Sequence, residues 1–415
     1  MSNLDFFCIE DFDFNGKTVA VRVDLNSHVD ENLNVIENKR FERYARTIKY
    51  LRNKGAKVIV LAHQGRFGET DFISLEQHAK IFSKYVGAEV KFIPETISEK
   101  TKYEIKQMKE GDVILLNNVR FLKDETEKKS IEEHASSSLV RFLSPLIDYY
   151  VLDAFSVAHR SQASIVGFAT VKPTIAGIVF IDEYKSIKKA LEMTLGVNTW
   201  VMGGAKIDDC IKVLKHLFEH KPDAIERVLT GGLLSNLFLY ALGYEIGSGS
   251  LSILRYKGHL KLLDDAKNLI TKYSKEIILP EDVAIEKDGN RVEVDIDDVP
   301  ENATILDVST KTIEKYKEII AGSRTVVVKG PLGMYEKKGF EKGTKEIFKL
   351  LSTFDGYSLV GGGDTSLAME TLGFSEKDFS YVSISGGAMI TFLSGRKMPG
   401  LEALRLSYQK FKDLI

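Results

Sequence analysis

The chain has 415 residues, of which 44% are hydrophobic and 28% are charged, and its 57 basic residues nearly balance its 59 acidic residues. This length favours two domains, and the charge balance argues against a dedicated nucleic-acid or membrane-surface binder, which needs a basic excess. The two cysteines lack the spacing of a disulfide framework or a structural zinc site. An acidic N-terminus unlike a secretory signal, and the lack of any apolar run of roughly 18 residues, predict a cytoplasmic protein without a membrane partner.

Short β-branched runs alternate with helical patterns along nearly the whole chain. The predicted strands are, in chain order, 18–23, 57–62, 112–116, 149–155, 199–203, 226–231, 325–330 and 357–362. Most of these runs are continuously apolar, as in parallel strands that are covered on both faces. Helices are predicted at about 39–54 and 75–86. The alternation predicts an α/β protein with two doubly wound, mainly parallel-sheet domains.

Two further segments define the predicted organisation. Residues 281–297 read as a hairpin of short alternating strands around Asp288 and Gly289, inserted on the second sheet. A long amphipathic helix near 182–195 is the best candidate for the domain boundary. We therefore predict an N-terminal domain over 1–180 and a C-terminal domain over 181–392.

In the first half of the chain, polar and cationic residues come directly after the predicted strands. Open parallel sheets bind their ligands at the carboxyl ends of their strands, so these residues are candidates for a binding site. These residues are Asp24, Asn26, Arg40, His63, Arg66, Arg120, His159 and Arg160. The planar fork of arginine suits bidentate capture of phosphate or carboxylate. Any one of the arginines and histidines could be an ordinary surface cation or helix-end residue, but the set predicts an anion-binding site.

Glycines take the same places in the second half. The turns read GGAK (203–206), TGG (230–232), KGPLG (329–333), GGGDT (361–365) and SISGGA (383–388). Glycines at strand-to-helix turns let backbone N–H groups approach a phosphate, which the N-terminus of the following helix also attracts. The turns therefore predict a nucleotide site, and the lack of GxxxxGK[ST] excludes a P-loop.

Three side chains near these turns extend the prediction. Asp364 could bind Mg²⁺ that bridges nucleotide phosphates, or it could simply cap its helix. Lys206 could reach a phosphate, and Glu336 could accept ribose hydroxyls. The two halves together predict a phosphotransferase that holds a small anionic substrate on one domain and a magnesium nucleotide on the other, across a cleft that closes to exclude water.

These motifs, in this order, resemble those of the phosphoglycerate kinases from end to end. The matching segments are RVDLNSHVD, AHQGRFGE, LLNNVRF, DAFSVAHRSQASIVGF, GGAK, GPLGMYE, GGGDT and a final GGA followed by PGLEAL. The resemblance implies two domains that face each other across a cleft, with 393–415 packed back on the first, in a monomer or homodimer. It also implies Mg²⁺-dependent, reversible phosphoryl transfer between 1,3-bisphosphoglycerate and ADP, giving 3-phosphoglycerate and ATP, in glycolysis and gluconeogenesis.

The resemblance further implies a role for each predicted site residue. Asp24 and Asn26 would hold the hydroxyl and carboxylate end of 3-phosphoglycerate, and Arg40 would meet its reacting carboxylate. The non-reacting phosphate would bind to His63, Arg66, Arg120 and Arg160, and His159 would also have a substrate-binding role. The nucleotide would bind to Gly204, Lys206, Gly231, Gly232, Glu336, Gly361, Gly362, Gly363, Asp364 and Thr365, with Asp364 as the metal ligand. The catalytic set would be Arg40, Lys206, Lys329, Gly386 and Gly387.

One departure from the family pattern concerns the transferring phosphoryl group. In GGAKIDDC, Cys210 stands where the family commonly has a second lysine, a form similar to the archaeal branch. We expect Lys329 or Arg40 to supply the missing charge, unless Lys329 is only a solvated strand-end lysine. His28 replaces a usual proline, and Ser385 replaces a usual glycine.

Two other interpretations remain open at this point. The loss of the family lysine would suit a catalytically weak paralogue that binds phosphoglycerate and nucleotide as a sensor or scaffold. A kinase of another small carboxylate is the second alternative, although such a substrate would leave the arginines without a phosphate to hold.

Overall fold

The structure, a computed structural model, describes residues 4–192 and 196–413. It divides into two compact units, with Met1–Tyr184 and Lys397–Ile415 in unit 1 and Lys185–Arg396 in unit 2. Each unit is built around its own parallel sheet. The prediction of an α/β chain with two mainly parallel sheets is confirmed.

Unit 1 alternates strands and helices. Its strands are β1 (Thr18–Arg22), β2 (Lys57–Leu61), β3 (Val90–Ile93), β4 (Val113–Leu116), β5 (Tyr149–Leu152) and β6 (Thr174–Ala176). The helices that follow them are α1 (Lys39–Asn53), α2 (Glu76–Val86), α3 (Glu99–Gln107), α4 (Ile131–His134), α5 (Ser138–Leu143), α6 (Ala163–Val166) and α7 (Ile178–Glu192). Helix α1 begins where the side chain of Asn38 accepts a hydrogen bond from the backbone N–H of Arg40.

The sheet of unit 1 determines where its ligands bind. Its strands are all parallel and run in the order β3-β4-β2-β1-β5-β6. The chain moves from β1 to one side of the sheet and returns to the other side at β5, so β1 lies at the switch point. A parallel sheet opens a crevice there, beyond the carboxyl ends of the central strands. The residues that follow β1, β2, β4 and β5 therefore meet at one edge.

Unit 2 begins at Lys185, within the boundary helix α7, and has a sheet of its own. Its strands are β7 (Asn198–Met202), β8 (Arg227–Thr230), β9 (Ile277–Ile278), β10 (Asp282–Lys287), β11 (Asn290–Asp295), β12 (Ile305–Val308), β13 (Thr325–Lys329), β14 (Tyr357–Gly361) and β15 (Tyr381–Ser383). Its helices are α8 (Ile207–His220), α9 (Gly232–Ala241), α10 (Ser248–Tyr256), α11 (Leu263–Lys272), α12 (Thr310–Ala321), α13 (Lys342–Leu351), α14 (Gly363–Thr371) and α15 (Gly386–Leu393). The parallel sheet has the order β15-β14-β13-β7-β8-β9, with its switch point between β7 and β13.

The predicted hairpin forms, but not on the parallel sheet. Strands β10 and β11 are antiparallel around Asp288 and Gly289, both of which have positive φ, as a two-residue hairpin turn requires. The other edge of β10 pairs with β12, in the separate order β11-β10-β12. The expected insertion on the second sheet is therefore wrong. Since β12 is too short to show periodicity, nothing in the sequence predicted that β10 would pair with it.

Other boundaries differ in smaller ways. The predicted strand 149–155 ends at Leu152, because a 3₁₀ turn follows it. The boundary helix predicted at 182–195 begins earlier, at Ile178, where a buried apolar first turn hides the helical periodicity. Residues 193–195 of that prediction lie outside the described residues. Among the helices that the structure describes, none is long and apolar enough to cross a membrane.

The last helix, α16 (Pro399–Phe411), belongs to unit 1. Proline at its first position fits a helix start, since that N–H needs no partner within the helix. The N–H of Gly400 donates to the carbonyl of Ala158 at 2.8 Å, and the hydroxyl of Ser407 accepts from the N–H of Thr174 at 2.8 Å. These bonds attach α16 to the segment after β5 and to the first residue of β6.

Candidate active site

The crevice of unit 1 is built around a buried carboxylate. Asp24, just after β1, is 2% exposed, and Arg40 Nη1 donates to its Oδ2 at 2.7 Å. The N–H of Asn26 and the hydroxyl of Ser156 donate to the same carboxylate. Burial alone would raise the pKa of Asp24, but Arg40 and its other partners hold that pKa well below the usual range. Asp24 is therefore ionised, and it positions the guanidinium of Arg40.

Asn26 links two of the loops that line this crevice. Its Oδ1 accepts a hydrogen bond from the N–H of Gly65 at 2.8 Å, and its backbone carbonyl accepts one from Arg40 at 3.2 Å. The loop after β1 is thereby held to the loop after β2. The structure brings Asp24, Asn26 and Arg40 together, as expected of groups that bind one end of a substrate.

His63 and a residue that the sequence analysis missed lie at the bottom of the crevice. His63, after β2, is 3% exposed, and its Nδ1 lies 3.0 Å from Nη2 of Arg22. Arg22 is the last residue of β1 and is fully buried. Burial lowers the pKa of His63 well below its ordinary value, and Arg22 lowers it further. A charged residue at the end of an apolar strand was the available signal for Arg22.

Three predicted arginines surround this bottom layer. Arg120 donates to the carbonyl of Gly65, Arg160 donates to His159 Nε2 at 3.3 Å, and Arg66 is exposed. Within residues 4–192 and 196–413, none of the three arginines forms a salt bridge with a carboxylate. Burial and the neighbouring Arg160 lower the pKa of Arg120 to about 10. An anion in the crevice would relieve this repulsion.

In unit 2, the turns after β7, β13, β14 and β15 surround a pocket of about 200 Å³. Its lining comprises Gly203, Gly204, Ala205, Lys206, Asp209, Lys329, Gly330, Gly362, Gly363, Asp364, Thr365, Gly386, Gly387 and Ile390. Most of the predicted nucleotide and catalytic residues of this half are thus brought together. Asp209 and Gly330 are additions that the sequence analysis did not single out.

Lys329 and Cys210 form a buried pair at this pocket. Lys329 is the last residue of β13 and is 6% exposed, while Cys210 on α8 is fully buried. Lys329 Nζ donates to Cys210 Sγ at 3.3 Å. Burial raises the pKa of the thiol, although Lys329 opposes that rise. Cys210 stands where the resemblance leads us to expect a lysine, and it accepts a hydrogen bond from another lysine, Lys329.

Lys206 and Asp364 face each other at the exposed side of the pocket. Lys206 Nζ lies 3.2 Å from Asp364 Oδ2, and both side chains are substantially exposed. Asp364 is the second residue of α14, where a carboxylate is also favoured by the helix dipole. Thr365 is buried, and its Oγ1 accepts from the N–H of Gly330 at 2.7 Å. Its hydroxyl therefore fixes the turn after β13.

The donor set of this pocket fits Mg²⁺ that is carried by a nucleotide. Across the described residues, no three histidine, cysteine, aspartate or glutamate side chains cluster as a metal site. Mg²⁺ is usually held by one or two carboxylates together with phosphate oxygens and waters, rather than by a protein cage. The pocket is lined by two carboxylates, those of Asp209 and Asp364, and that number satisfies the pattern.

Four predicted nucleotide residues lie outside the pocket lining. A Cβ added to Gly231 would lie 2.5 Å from the side chain of Leu332, and one added to Gly232 would lie 2.7 Å from the backbone N of Gly204. A Cβ added to Gly361 would lie 2.4 Å from the side chain of Met389. These three glycines are required by close packing behind the turns. Glu336 is exposed, and burial, followed by the charge of Glu336, raises the pKa of the neighbouring Tyr335 to about 12. Their nucleotide-binding roles stay predictions.

Comparison with known proteins gives a consistent result over nearly the whole chain. A family model described as phosphoglycerate kinase matches residues 9–396. Phosphoglycerate kinase of Methanopyrus kandleri is 39% identical over 396 residues, covering 95% of this chain and 96% of that protein. That of Methanococcus maripaludis is 40% identical over 417 residues, covering 98% and 100%.

Solved structures agree with the sequence relatives. The crystal structure of phosphoglycerate kinase from Pyrococcus horikoshii matches with a TM-score of 0.89 and 36% identity, covering 98% of this chain and 100% of that one. The structure from Coxiella burnetii matches with a TM-score of 0.81 and 30% identity, covering 96% and 98%. The chain is thus similar in fold and in sequence to both.

Proposed function

The chain belongs to the phosphoglycerate kinase family, and from that premise we propose how its residues carry out the family's reaction. The enzyme is a phosphotransferase with a carboxyl group as acceptor. It transfers a phosphoryl group reversibly between 1,3-bisphosphoglycerate and ADP, giving 3-phosphoglycerate and ATP. Methanopyrus, Methanococcus and Pyrococcus supply close relatives, in agreement with the archaeal-like motif at Cys210.

Unit 1 is the proposed site of the glycerate substrate. The observation that carries this proposal is a set of arginines around the buried His63 that have no carboxylate partner among the described residues, namely Arg66, Arg120 and Arg160. Three cations held together need a polyanion to balance them, and the phosphate of 3-phosphoglycerate supplies about two negative charges. Arg40, fixed by Asp24, would then meet the carboxylate at the other end.

Unit 2 is the proposed site of the nucleotide. The N–H groups at the starts of α14 and α15 and the ammonium of Lys206 would contact its phosphates. Asp364 would hold Mg²⁺, which neutralises phosphate charge when it is bound. Binding would exchange partners, since the Lys206 ammonium now lies against the Asp364 carboxylate.

The transfer itself calls for positioning and charge rather than proton transfer. The acceptor carboxylate is already ionised at neutral pH, so attack on the phosphoryl group needs no general base. The equatorial oxygens of the transferring group need positive charge instead. Lys329 is our candidate for supplying this charge. Burying its ammonium group next to a thiol costs free energy, and an anionic phosphoryl group bound at the site would offset that cost. The substrates must meet, and we propose that closure of the two domains brings them together.

The proposal is tested by substrate discrimination. Rates with ATP would be compared for 3-phosphoglycerate, for glycerate, which lacks the phosphate, and for acetate. The native enzyme should prefer 3-phosphoglycerate strongly, and the combined substitution of Arg66, Arg120 and Arg160 by alanine should remove most of that preference. An undiminished preference in the triple variant would contradict the assignment of the phosphate to unit 1.

Two finer statements accompany this proposal. We propose a cytoplasmic enzyme that acts as a monomer or homodimer on small-molecule substrates, as its family membership favours. The sensor or scaffold alternative receives no support from the relatives, which are named as phosphoglycerate kinases. The kinase of another carboxylate would be revealed by rapid turnover with acetate.

A further inference from the structure

The contact between Arg22 and His63 fixes the chemistry of the histidine ring. Arg22 Nη2 lies 3.0 Å from His63 Nδ1. A guanidinium has only donors and keeps its proton in proteins, so Nδ1 must be the acceptor of this bond. The proton of a neutral ring is then on Nε2. Across the part of the chain that the structure describes, Nε2 has no hydrogen-bond partner, so its N–H is available to a ligand.

Arg22 cannot easily turn away from the histidine. It is fully buried, its Nε donates to Ser164 Oγ at 2.8 Å, and its Nη1 donates to the carbonyl of Val23. Ser164 in turn donates to Glu125, from its hydroxyl at 2.6 Å and from its N–H at 2.9 Å. Glu125 is fully buried as well. The guanidinium is therefore held on three sides before any ligand binds.

The surroundings also keep the ring of His63 neutral. A protonated ring would direct an N–H from Nδ1 at the N–H of Arg22, placing one donor against another. Burial and the positive charges of Arg22, Arg120 and Arg160 oppose protonation, and only Asp24, with Oδ1 3.9 Å from Nδ1, favours it.

We propose that Arg22 is a positioning residue that locks His63 in the neutral Nε2–H tautomer, so that His63 presents a fixed N–H donor to the phosphate of 3-phosphoglycerate. This inference rests on the proposed phosphate site of unit 1. It adds a division of labour to that site, because the arginines supply charge while His63 supplies a directed, uncharged donor. Such a donor suits the oxygens of a phosphate dianion, which only accept.

The tautomer can be measured in the unaltered enzyme. Long-range ¹H–¹⁵N spectra distinguish the two neutral tautomers from the imidazolium, and the signals missing in His63→Gln identify the residue. At about pH 6, below the ordinary pKa of histidine, His63 should be neutral with its proton on Nε2. An imidazolium or an Nδ1–H ring would overturn the proposal.

A second arm tests whether Arg22 causes the lock. Replacing Arg22 by Met together with Glu125→Gln removes the donor and leaves no buried carboxyl that could ionise without its arginine, while Glu125→Gln alone is the matched control. The control should keep the Nε2–H tautomer, and the double variant should show mixed tautomers or protonation. An unchanged tautomer in a folded double variant would overturn the role of Arg22. If that variant does not fold, the spectrum of the native enzyme still decides the question.

The donor role has a kinetic test that a merely structural role would not pass. The amide nitrogen of glutamine can take the place of histidine Nε2, whereas that of asparagine takes the place of Nδ1. His63→Gln should therefore keep the KM for 3-phosphoglycerate within a few-fold of the native value, and His63→Asn should raise it by roughly tenfold more with a smaller change in kcat. Equal effects would contradict the donor role.

The proposed phosphate site can fail separately from the lock. Adding 3-phosphoglycerate or inorganic phosphate should shift the His63 signals of the native enzyme. If turnover is normal but neither ligand moves those signals, the phosphate role of His63 is overturned. The tautomer of the free enzyme would still test whether Arg22 locks the ring.

Discussion

The crevice of unit 1 presents charged side chains to its ligand, whereas the pocket of unit 2 presents mainly backbone. In unit 1, buried groups at the bottom of the crevice hold neighbouring side chains in place. Asp24 pairs with Arg40, and Arg22 contacts His63. In unit 2 the pocket is lined by the glycines after β14 and β15, at two helix N-termini, and by the buried Lys329. Both proposed sites lie at the switch point of a parallel sheet, so the same architecture would hold phosphate in two ways.

The difference matches what each ligand requires. A small substrate with two anionic ends is best fixed by directed side chains, since bidentate arginine contacts define orientation as well as charge. Nucleotide phosphates form a flexible chain that carries its own metal, and rows of N–H groups can follow it without adding net charge. Substitutions in unit 1 should therefore act on the KM for 3-phosphoglycerate, and substitutions in unit 2 on Mg-ATP or on kcat.

The largest effect is expected at Lys329, a buried cationic side chain in a pocket that is lined mainly by backbone. Lys329→Ala should reduce kcat by roughly 100-fold or more, about 3 kcal/mol, because a preorganised donor to the transferring phosphoryl group is lost. Steady-state kinetics with both substrates measures this, and Lys215→Ala, an exposed lysine of α8, is the matched control. Adding Cys210→Lys to the variant should restore part of the rate. Native rates in Lys329→Ala would refute the role.

The buried network of unit 1 should make its stability depend on pH. Burial raises the pKa of Glu125 from 4.5 to about 7, with Arg22 opposing the rise. Folded Glu125 therefore retains a proton that the unfolded chain has lost, and this contribution to stability disappears as the pH rises from about 4.5 to about 7. The loss is on the order of 3 kcal/mol.

The variant Glu125→Gln should remove that contribution. Denaturant unfolding followed by circular dichroism, at about pH 5 and about pH 8, gives the change in the free energy of unfolding between the two conditions. This change should be smaller in the variant than in the native enzyme. The same pH dependence in both proteins would show that Glu125 is already ionised in the fold.

A smaller effect is expected at Asp364, the proposed metal ligand of unit 2. Asp364→Asn should raise the KM for Mg-ATP by about 30-fold, near 2 kcal/mol, since a charged ligand is lost. The KM for 3-phosphoglycerate should stay the same, and a chelator should stop turnover in the native enzyme. Asp209→Asn, which alters a second carboxylate of the same pocket, is the control. A larger effect at Asp209 would move the metal to that residue.

The smallest effect is expected at Arg66, the exposed member of the unit 1 arginines. Arg66→Ala should raise the KM for 3-phosphoglycerate by about tenfold with little change in kcat, because water screens this contact more than the others. Arg46→Ala, which removes an exposed arginine paired with Asp182, controls for general loss of charge. A kcat effect that exceeds the KM effect would mean that Arg66 acts on the transition state.

Much of this organisation could be predicted from the sequence, because the carboxyl ends of parallel strands share an edge. The family membership and the two parallel sheets are confirmed, and the residues after β1, β2, β4 and β5 do converge. The role of each glycine was harder to predict, because a phosphate-binding turn and a closely packed position both require a residue without a side chain. Gly363 has open space beside it, while Gly361 packs against Met389.

Other features depend on contacts that a sequence pattern does not encode. Arg22 reads as the end of an apolar strand, and only the fold shows that its guanidinium meets His63. Glu125 lies in a loop with no periodicity, 39 residues before its partner Ser164. The 3.3 Å contact of Lys329 with Cys210 joins residues 119 positions apart. From the motifs we expected Lys329 or Arg40 to supply the charge of the missing lysine, but a sequence pattern could not show that Lys329 contacts Cys210.

The most direct test of the account is steady-state turnover with 3-phosphoglycerate and Mg-ATP, coupled to reduction of the acyl phosphate with oxidation of NADH. We expect saturable turnover at roughly 1–10³ s⁻¹, the usual range for an enzyme. Substitutions in unit 1 should change the KM for 3-phosphoglycerate, and substitutions in unit 2 should change the KM for Mg-ATP or kcat. Binding of both ligands without turnover would contradict the account and would support the sensor or scaffold alternative that Cys210 suggests.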